Sequence, residues 1–184
     1  RAANSNASGM ALAIASNGAQ AVEQEPNDKP EQATQINFPG GASGLLGQAG
    51  DIDLFKFQAE KGKRLRFRGY SRSLGTPAVV KYRVLKVDGT QLAIAAVTDE
   101  DEFVLSWIVP ETGEYLLEAV DLLRRGGNNF GYLITAEQGN SFSLSLKNDK
   151  ATKNKYLVDA KLGAISFPVT VVRDGYDGPI TITT

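Results

Sequence analysis

The 184 residues contain no cysteine and no histidine. Without cysteine there are no disulfides, thiolate metal sites or thiol nucleophiles. Without histidine the chain lacks the commonest general base and the commonest transition-metal ligand. Charge of one sign is also missing: 20 Lys+Arg stand against 21 Asp+Glu, for a net charge of -1. That balance argues against nucleic acid or an anionic membrane as a general partner. No run of about 18 apolar residues occurs, so no membrane span is expected. Catalytic signatures are lacking as well. There is no Gly-x-Ser-x-Gly elbow and no supported Ser-x-x-Lys arrangement, so no enzyme activity is expected. The chain starts at Arg1 without Met or signal peptide, which reads as a cut within a longer polypeptide.

What is present is strand after strand. Arg64-Leu65-Arg66-Phe67-Arg68 alternates charged and apolar residues, the pattern of a strand with one buried face. Phe55 and Phe57 share one side of their segment, as do Phe103, Leu105, Trp107 and Val109 of theirs. Asp88-Gly89 marks a tight turn between segments 79–87 and 91–97, and Pro110 to Gly113 marks another. Short strands at roughly 8–12-residue spacing, with no long helical pattern between them, predict an all-β fold. The expected core includes Phe55, Phe57, Leu65, Phe67, Leu105, Trp107, Tyr115 and Leu117.

Other segments frame this region. Met10 to Ala15 reads as a short strand within residues 1–22, which form the end of a preceding region or a linker. Asp28 followed by Pro30 and Glu31 predicts one helical turn capped by Asp28. After Gly139, segments 142–146 and 163–172 read as strands around a Lys/Asn/Asp-rich loop. A last strand is expected from Ile180 to Thr183.

The acidic residues carry the clearest chemical signal. Calcium takes six to eight hard oxygen ligands from carboxylates, amide oxygens and carbonyls. Glu23, Glu25, Asn27 and Asp28 offer several within six residues, and Asp51 and Asp53 offer two more. In an extended chain Glu23, Glu25 and Asn27 point to one side. If their segment crosses the 50–53 turn, six oxygen-bearing side chains converge. The competing reading is turn chemistry: Asp28 as a cap, Asn27 in an Asx turn, Asp51 as a turn residue. The row Arg64, Arg66, Arg68 and Arg72 is either a solvated sheet face or a binding face. Residues 124–129, Arg-Arg-Gly-Gly-Asn-Asn, are either a plain loop or a ligand loop. Tyr70, Tyr82, Tyr115 and Tyr132 are candidates for a contact face.

Four stretches together resemble the bacterial pre-peptidase C-terminal (PPC) domain family. They are Glu23-x-Glu25-Pro26-Asn27-Asp28, Gly50 to Phe57 followed by Gly62, Pro110-x-x-Gly113-x-Tyr115-x-Leu117, and Gly127 to Tyr132. The resemblance implies a jelly-roll-type antiparallel β-sandwich over 23–138, related to the collagen-binding domains of collagenases. Residues 139–184 resemble the start of an Ig-like module, which implies a partial Ig-like β-sheet. The family further implies a non-catalytic accessory module of a larger secreted bacterial multidomain protein, extracellular, cell-surface or periplasmic. Its expected partners are neighbouring domains of the same polypeptide. The alternative is a module that binds an extracellular polysaccharide or protein ligand through a sheet face or end loops. The collagenase relatives bind Ca²⁺ with a comparable Glu-x-Glu-x-Asn-Asp segment, so Ca²⁺ is the implied ion. The Asp51-x-Asp53 pair departs from the wider spacing there.

Overall fold

The structure is a computed structural model that describes residue 14 and residues 18–97, 102–146 and 168–182. The chain divides into two compact units, Arg1–Gly139 and Asn140–Thr184. The first is a sandwich of two sheets. Its strands are β1 (Ala19–Val22), β2 (Thr34–Gln35), β3 (Gly40–Leu45), β4 (Asp53–Ala59), β5 (Arg64–Tyr70), β6 (Val80–Lys86), β7 (Gln91–Ile94), β8 (Ala96–Val97), β9 (Phe103–Ile108), β10 (Gly113–Asp121) and β11 (Gly131–Gln138). One sheet runs β1-β3-β11-β5-β9-β8, the other β2-β4-β10-β6-β7. The expected all-β sandwich is therefore observed. Among the described residues no helix is long and apolar enough to cross a membrane.

The period-2 pattern places the core. Every second residue of β4, β5 and β9 faces inward, and all eight expected core residues are buried. Phe57 packs its ring 5.4 Å from Phe67 and 5.9 Å from Tyr115, and Trp107 stands edge-on to Tyr115 at 4.9 Å. Gly69 lets the Tyr82 ring of the facing sheet pack directly against the β5 backbone, because any Cβ there would overlap that ring. The outer face of the second sheet is also partly covered: Leu54, Leu85 and Leu116 form a small buried cluster with Ala33. Beside it, Arg83 clamps Glu118 through two hydrogen bonds of 2.7 and 2.6 Å.

The structure departs from the expected pattern in identifiable places. Two pairings are parallel rather than antiparallel, β1 with β3 and β2 with β4, so both sheets are mixed. The expected strand over 91–97 is two strands. Ala95 is a buried corner whose N–H reaches Tyr82 O at 2.9 Å, while β7 stays in one sheet and β8 joins the other. Tyr82, Tyr115 and Tyr132 are buried rather than a contact face. The helical turn is a single 3-10 turn, Pro30–Gln32, with Lys29 at its N-cap and no side-chain cap bond, so Asp28 does not cap it. The strand expected at Met10–Ala15 and the loop at Lys147–Lys155 fall outside the described residues, apart from Ile14.

The second unit pairs β12 (Ser141–Leu146) with β13 (Val169–Asp174) antiparallel. Of the strand expected over 163–172, residues 163–167 lie outside the described ones; β13 starts after Pro168, which lacks the N–H a ladder needs. Ile180–Ile182 is not a strand, in contrast to the reading of 180–183. Arg173 instead donates to Tyr176 O and Gly178 O, closing the turn that precedes it.

The buried Trp107 gives a direct test of the core. Trp107→Ala should lower the unfolding free energy by about 3–5 kcal/mol in a urea titration, whereas a loss below about 1 kcal/mol would place the residue outside the core.

Candidate functional site: a carboxylate cluster at one end of the sandwich

The segment after β1 continues its ladder for one residue and then crosses toward the other sheet. The Glu23 N–H donates to Ser43 O at 3.0 Å. Its side chain lies over Gly44, where any Cβ would collide with both the Glu23 carboxylate and the Tyr132 hydroxyl. Glu23 Oε1 accepts from the Leu45 N–H at 2.5 Å, and Oε2 lies 3.5 Å from the Tyr132 hydroxyl.

Asn27 fixes the crossing. It is fully buried, and its carbonyl accepts the Leu54 N–H at 3.2 Å. Its own N–H donates to Glu25 Oε2 at 3.0 Å, so the carboxylate two residues upstream closes the turn rather than an Asx turn of Asn27. The amide satisfies most partners with its nitrogen toward Asp53 Oδ1 (3.3 Å) and Ile52 O (3.2 Å). The other amide atom, then oxygen, faces Glu23 Oε2 at 3.5 Å.

Asp53 opens β4 and points inward with no solvent exposure. One of its carboxylate oxygens accepts a short hydrogen bond from the Tyr132 hydroxyl. Carboxylate oxygens of Glu23, Glu25 and Asp53 all lie within 4.8 Å of one another. The structure thus brings Glu23, Glu25, Asn27 and Asp53 together. It does not bring Asp51 or Asp28 into that group. Asp51 precedes β4 and accepts the Gly47 N–H at 2.6 Å, closing the 47–51 turn. Asp28 is exposed and lines an open surface cavity of about 460 Å³ with Glu25 and Asp51.

Three carboxylates this close cannot all stay charged unaided. Burial, then the hydrogen bond with Glu23, pushes the Asp53 carboxyl up to about 9, against a smaller downward pull from Tyr132. Glu25 is raised by its partial burial and then by the charges of Asp51, Glu23 and Asp28. The Tyr132 phenol is pushed well above its ordinary value by burial, then by Asp53 and Glu23. The cluster can therefore hold a shared proton or a hard cation. Its donor set is carboxylate and amide oxygen, the chemistry that suits a calcium-type ion.

Sequence reasoning did not place Tyr132 in the site. It lies 109 residues from Glu23 in the chain, and nothing local marks it. Another buried carboxylate at this end, Asp121, serves the fold. It accepts from the Val79, Leu123 and Arg125 N–H groups and pairs with the Arg125 guanidinium. Burial opposes its ionisation, but these bonds outweigh that and hold it down at about 2.

No family model matches the chain. No curated protein matches it either. Among solved structures it is similar to the pre-peptidase C-terminal domain of collagenase from Bacillus anthracis. That likeness has 14% identity and a TM-score of 0.46, and covers 60% of this chain and 100% of that one. It is also similar to PliG of Aeromonas hydrophila, a periplasmic lysozyme inhibitor of g-type lysozyme, at 10% identity, TM-score 0.43, over 65% of this chain and 99% of that one. PliG of Salmonella Typhimurium gives 15% identity and 0.40 over 58% and 98%. The chemistry of the site rests on its own residues.

The shifted carboxyls set opposite pH limbs. Asp53 binds its proton more tightly folded than unfolded, so its contribution is full below about pH 4 and is lost as pH rises toward about 9. Asp121 is shifted down, so its contribution is present above about pH 4 and is lost as pH falls toward about 2. Urea midpoints measured in EDTA should therefore fall from pH 5 to pH 9, and Asp53→Asn should flatten that limb. A wild-type midpoint that rises over this range would contradict the assignment.

Proposed function

We propose that this chain is a non-catalytic accessory module of a larger secreted bacterial multidomain protein, acting outside the cell or in the periplasm. Its role is to space, stabilise or target neighbouring domains of the same polypeptide. A calcium ion held by Glu23, Glu25, Asn27 and Asp53 would tie the segment after β1 to the start of β4. Asp28 and Asp51 would add negative potential at the rim, and as further ligands they would complete the set of six. The ion would supply the positive charge that these carboxylates otherwise replace with a proton.

The observation that carries this reading is the convergence of Glu23, Glu25 and Asp53 within 4.8 Å, from two segments remote in sequence. The buried Asn27 amide beside them supports it, because its oxygen faces a carboxylate rather than a donor. The non-catalytic part of the reading rests on composition. With no His and no Cys, the chain lacks the usual proton-transfer and thiol groups.

Extracellular calcium modules bind at about 10⁻⁴–10⁻³ M, so millimolar calcium is needed for saturation. At 100 times the dissociation constant the stabilisation is about 2.7 kcal/mol. A thermal melt at pH 7.5 in CaCl₂ should lie above the same melt in EDTA, with Mg²⁺ giving a smaller shift. Asp53→Ala should abolish the calcium response, and Asp28→Ala should only weaken it. Equal melting temperatures in EDTA and at saturating calcium would leave the cluster as a proton-sharing turn without metal.

A further inference from the structure

At the end of the sandwich that carries Asp53, the loop after β10 presents two leucines to solvent. Leu122 is 48% and Leu123 65% exposed. Their exposure is built into the backbone. The Leu122 N–H donates to Val79 O at 2.8 Å, and the Arg124 N–H donates to Asp121 O at 2.9 Å. The Leu123 and Arg125 N–H groups both donate to Asp121 Oδ1 at 3.0 Å. Arg124 sits in the left-handed region at φ 58°, which non-glycine residues rarely adopt, and its carbonyl accepts the Gly50 N–H at 3.0 Å. The leucines therefore cannot fold inward without breaking consecutive backbone bonds. An apolar pair held rigidly in water is preorganised for a protein contact. Arg124 beside it is exposed, and among the described residues its guanidinium has no partner. Arg125, by contrast, is paired with Asp121.

The chemistry that this tip lacks stands next to it. The Gly50–Arg124 bond sets the tip against the 47–51 turn, and Gly126 lies so close to Gln48 that any Cβ would overlap its backbone. The same turn forms one wall of the open cavity of about 460 Å³ lined by Glu25, Pro26, Asp28, Gly47, Gln48 and Asp51. Carboxylates line it, and no Lys or Arg does. One end of the sandwich thus carries an apolar, cationic knob and, beside it, an acidic hole. Two such patches side by side are self-complementary about a two-fold axis, because each knob then meets the other subunit's hole. A bilayer fits less well. Even a whole myristoyl chain gives only marginal membrane binding, two leucine side chains offer less apolar surface, and the neighbouring carboxylates repel anionic headgroups.

We propose that a second copy of this chain docks here as a two-fold dimer, with Leu122, Leu123 and Arg124 of each subunit in the Glu25–Asp28–Asp51 cavity of the other. Two small patches bury less than the roughly 1,200 Å² of a standard interface, so the dimer is weak and forms at high protein concentration.

The test is sedimentation equilibrium of the 184-residue chain in EDTA, from micromolar to millimolar protein. EDTA leaves the carboxylates free, so the outcome does not depend on the calcium reading. Wild type should pass from monomer to dimer. R124E and D28K, both at exposed positions, should each raise the dissociation constant at least about tenfold, because each puts like charges into both contacts. Their equimolar mixture should dimerise like wild type, since a mixed dimer pairs the two reversed charges in one contact and the native pair in the other. L122S/L123S should lose the dimer as well. A monomer throughout, or a dimer that neither charge reversal weakens, would overturn the proposal. So would a mixture that associates no better than its components. A monomer that cosediments with phosphatidylserine vesicles, and ceases to in L122S/L123S, would overturn it in favour of a membrane surface.

Discussion

A carboxylate with no solvent exposure must be neutral, richly hydrogen-bonded or paired with a cation. Asp53 is in that position, and the end of the sandwich around it is arranged accordingly. It opens β4, so the strand that carries Phe55 and Phe57 into the core begins with an acid facing the same way. Tyr132, on the opposite sheet, donates to it, and Asn27 ties the crossing segment to the same carboxylate and to the backbone beside it. Glu23 then reaches the Leu45 N–H on β3. One buried acid therefore joins both sheets and the segment between their edge strands β1 and β2. The compensation is incomplete without a positive charge, which is why the Asp53 carboxyl holds its proton to about 9.

Asp121 is the instructive contrast at the same end. It is equally hidden, yet three backbone N–H groups and a guanidinium surround it. Its charge is satisfied internally, so its carboxyl lies at about 2 and no ion is called for. The two buried carboxylates thus differ by their neighbours: N–H donors and a guanidinium surround Asp121, whereas other carboxylates crowd Asp53. Asp121 fixes the 121–125 loop, while Asp53 remains able to accept a cation or a proton.

The legible part of this molecule was the part written in local pattern. The alternation in β4, β5 and β9 identified strands and their inward faces, because the pleat forces a two-residue period on any half-buried strand. The grouping of Glu23, Glu25 and Asn27 was legible for the same reason, since an extended segment presents alternate residues to one side. What was not legible depends on long-range pairing. β1 is Ala-Gln-Ala-Val, too short and weakly patterned to announce a parallel partner 21 residues downstream. The transfer of the chain between sheets at Ala95 leaves no mark beyond a small residue. Asp51 was expected to converge with Asp53 on the same group, but β4 starts only at Asp53, and the Gly47 N–H draws Asp51 into its own turn. Asp28 carried a capping signature, yet the 3-10 turn is a single turn whose first residue is proline, with no N–H to cap there.

A cation at the Asp53 cluster would tie the segment after β1 to the sandwich. Hydrogen–deuterium exchange at pH 7.5, in EDTA and in saturating calcium, tests this most directly because it reads the contact itself. Exchange should slow with calcium at the amides of Glu23, Asn27, Leu45 and Leu54, with the amides of β5 and β9 unchanged. Identical protection of those four amides in EDTA and in calcium would contradict it.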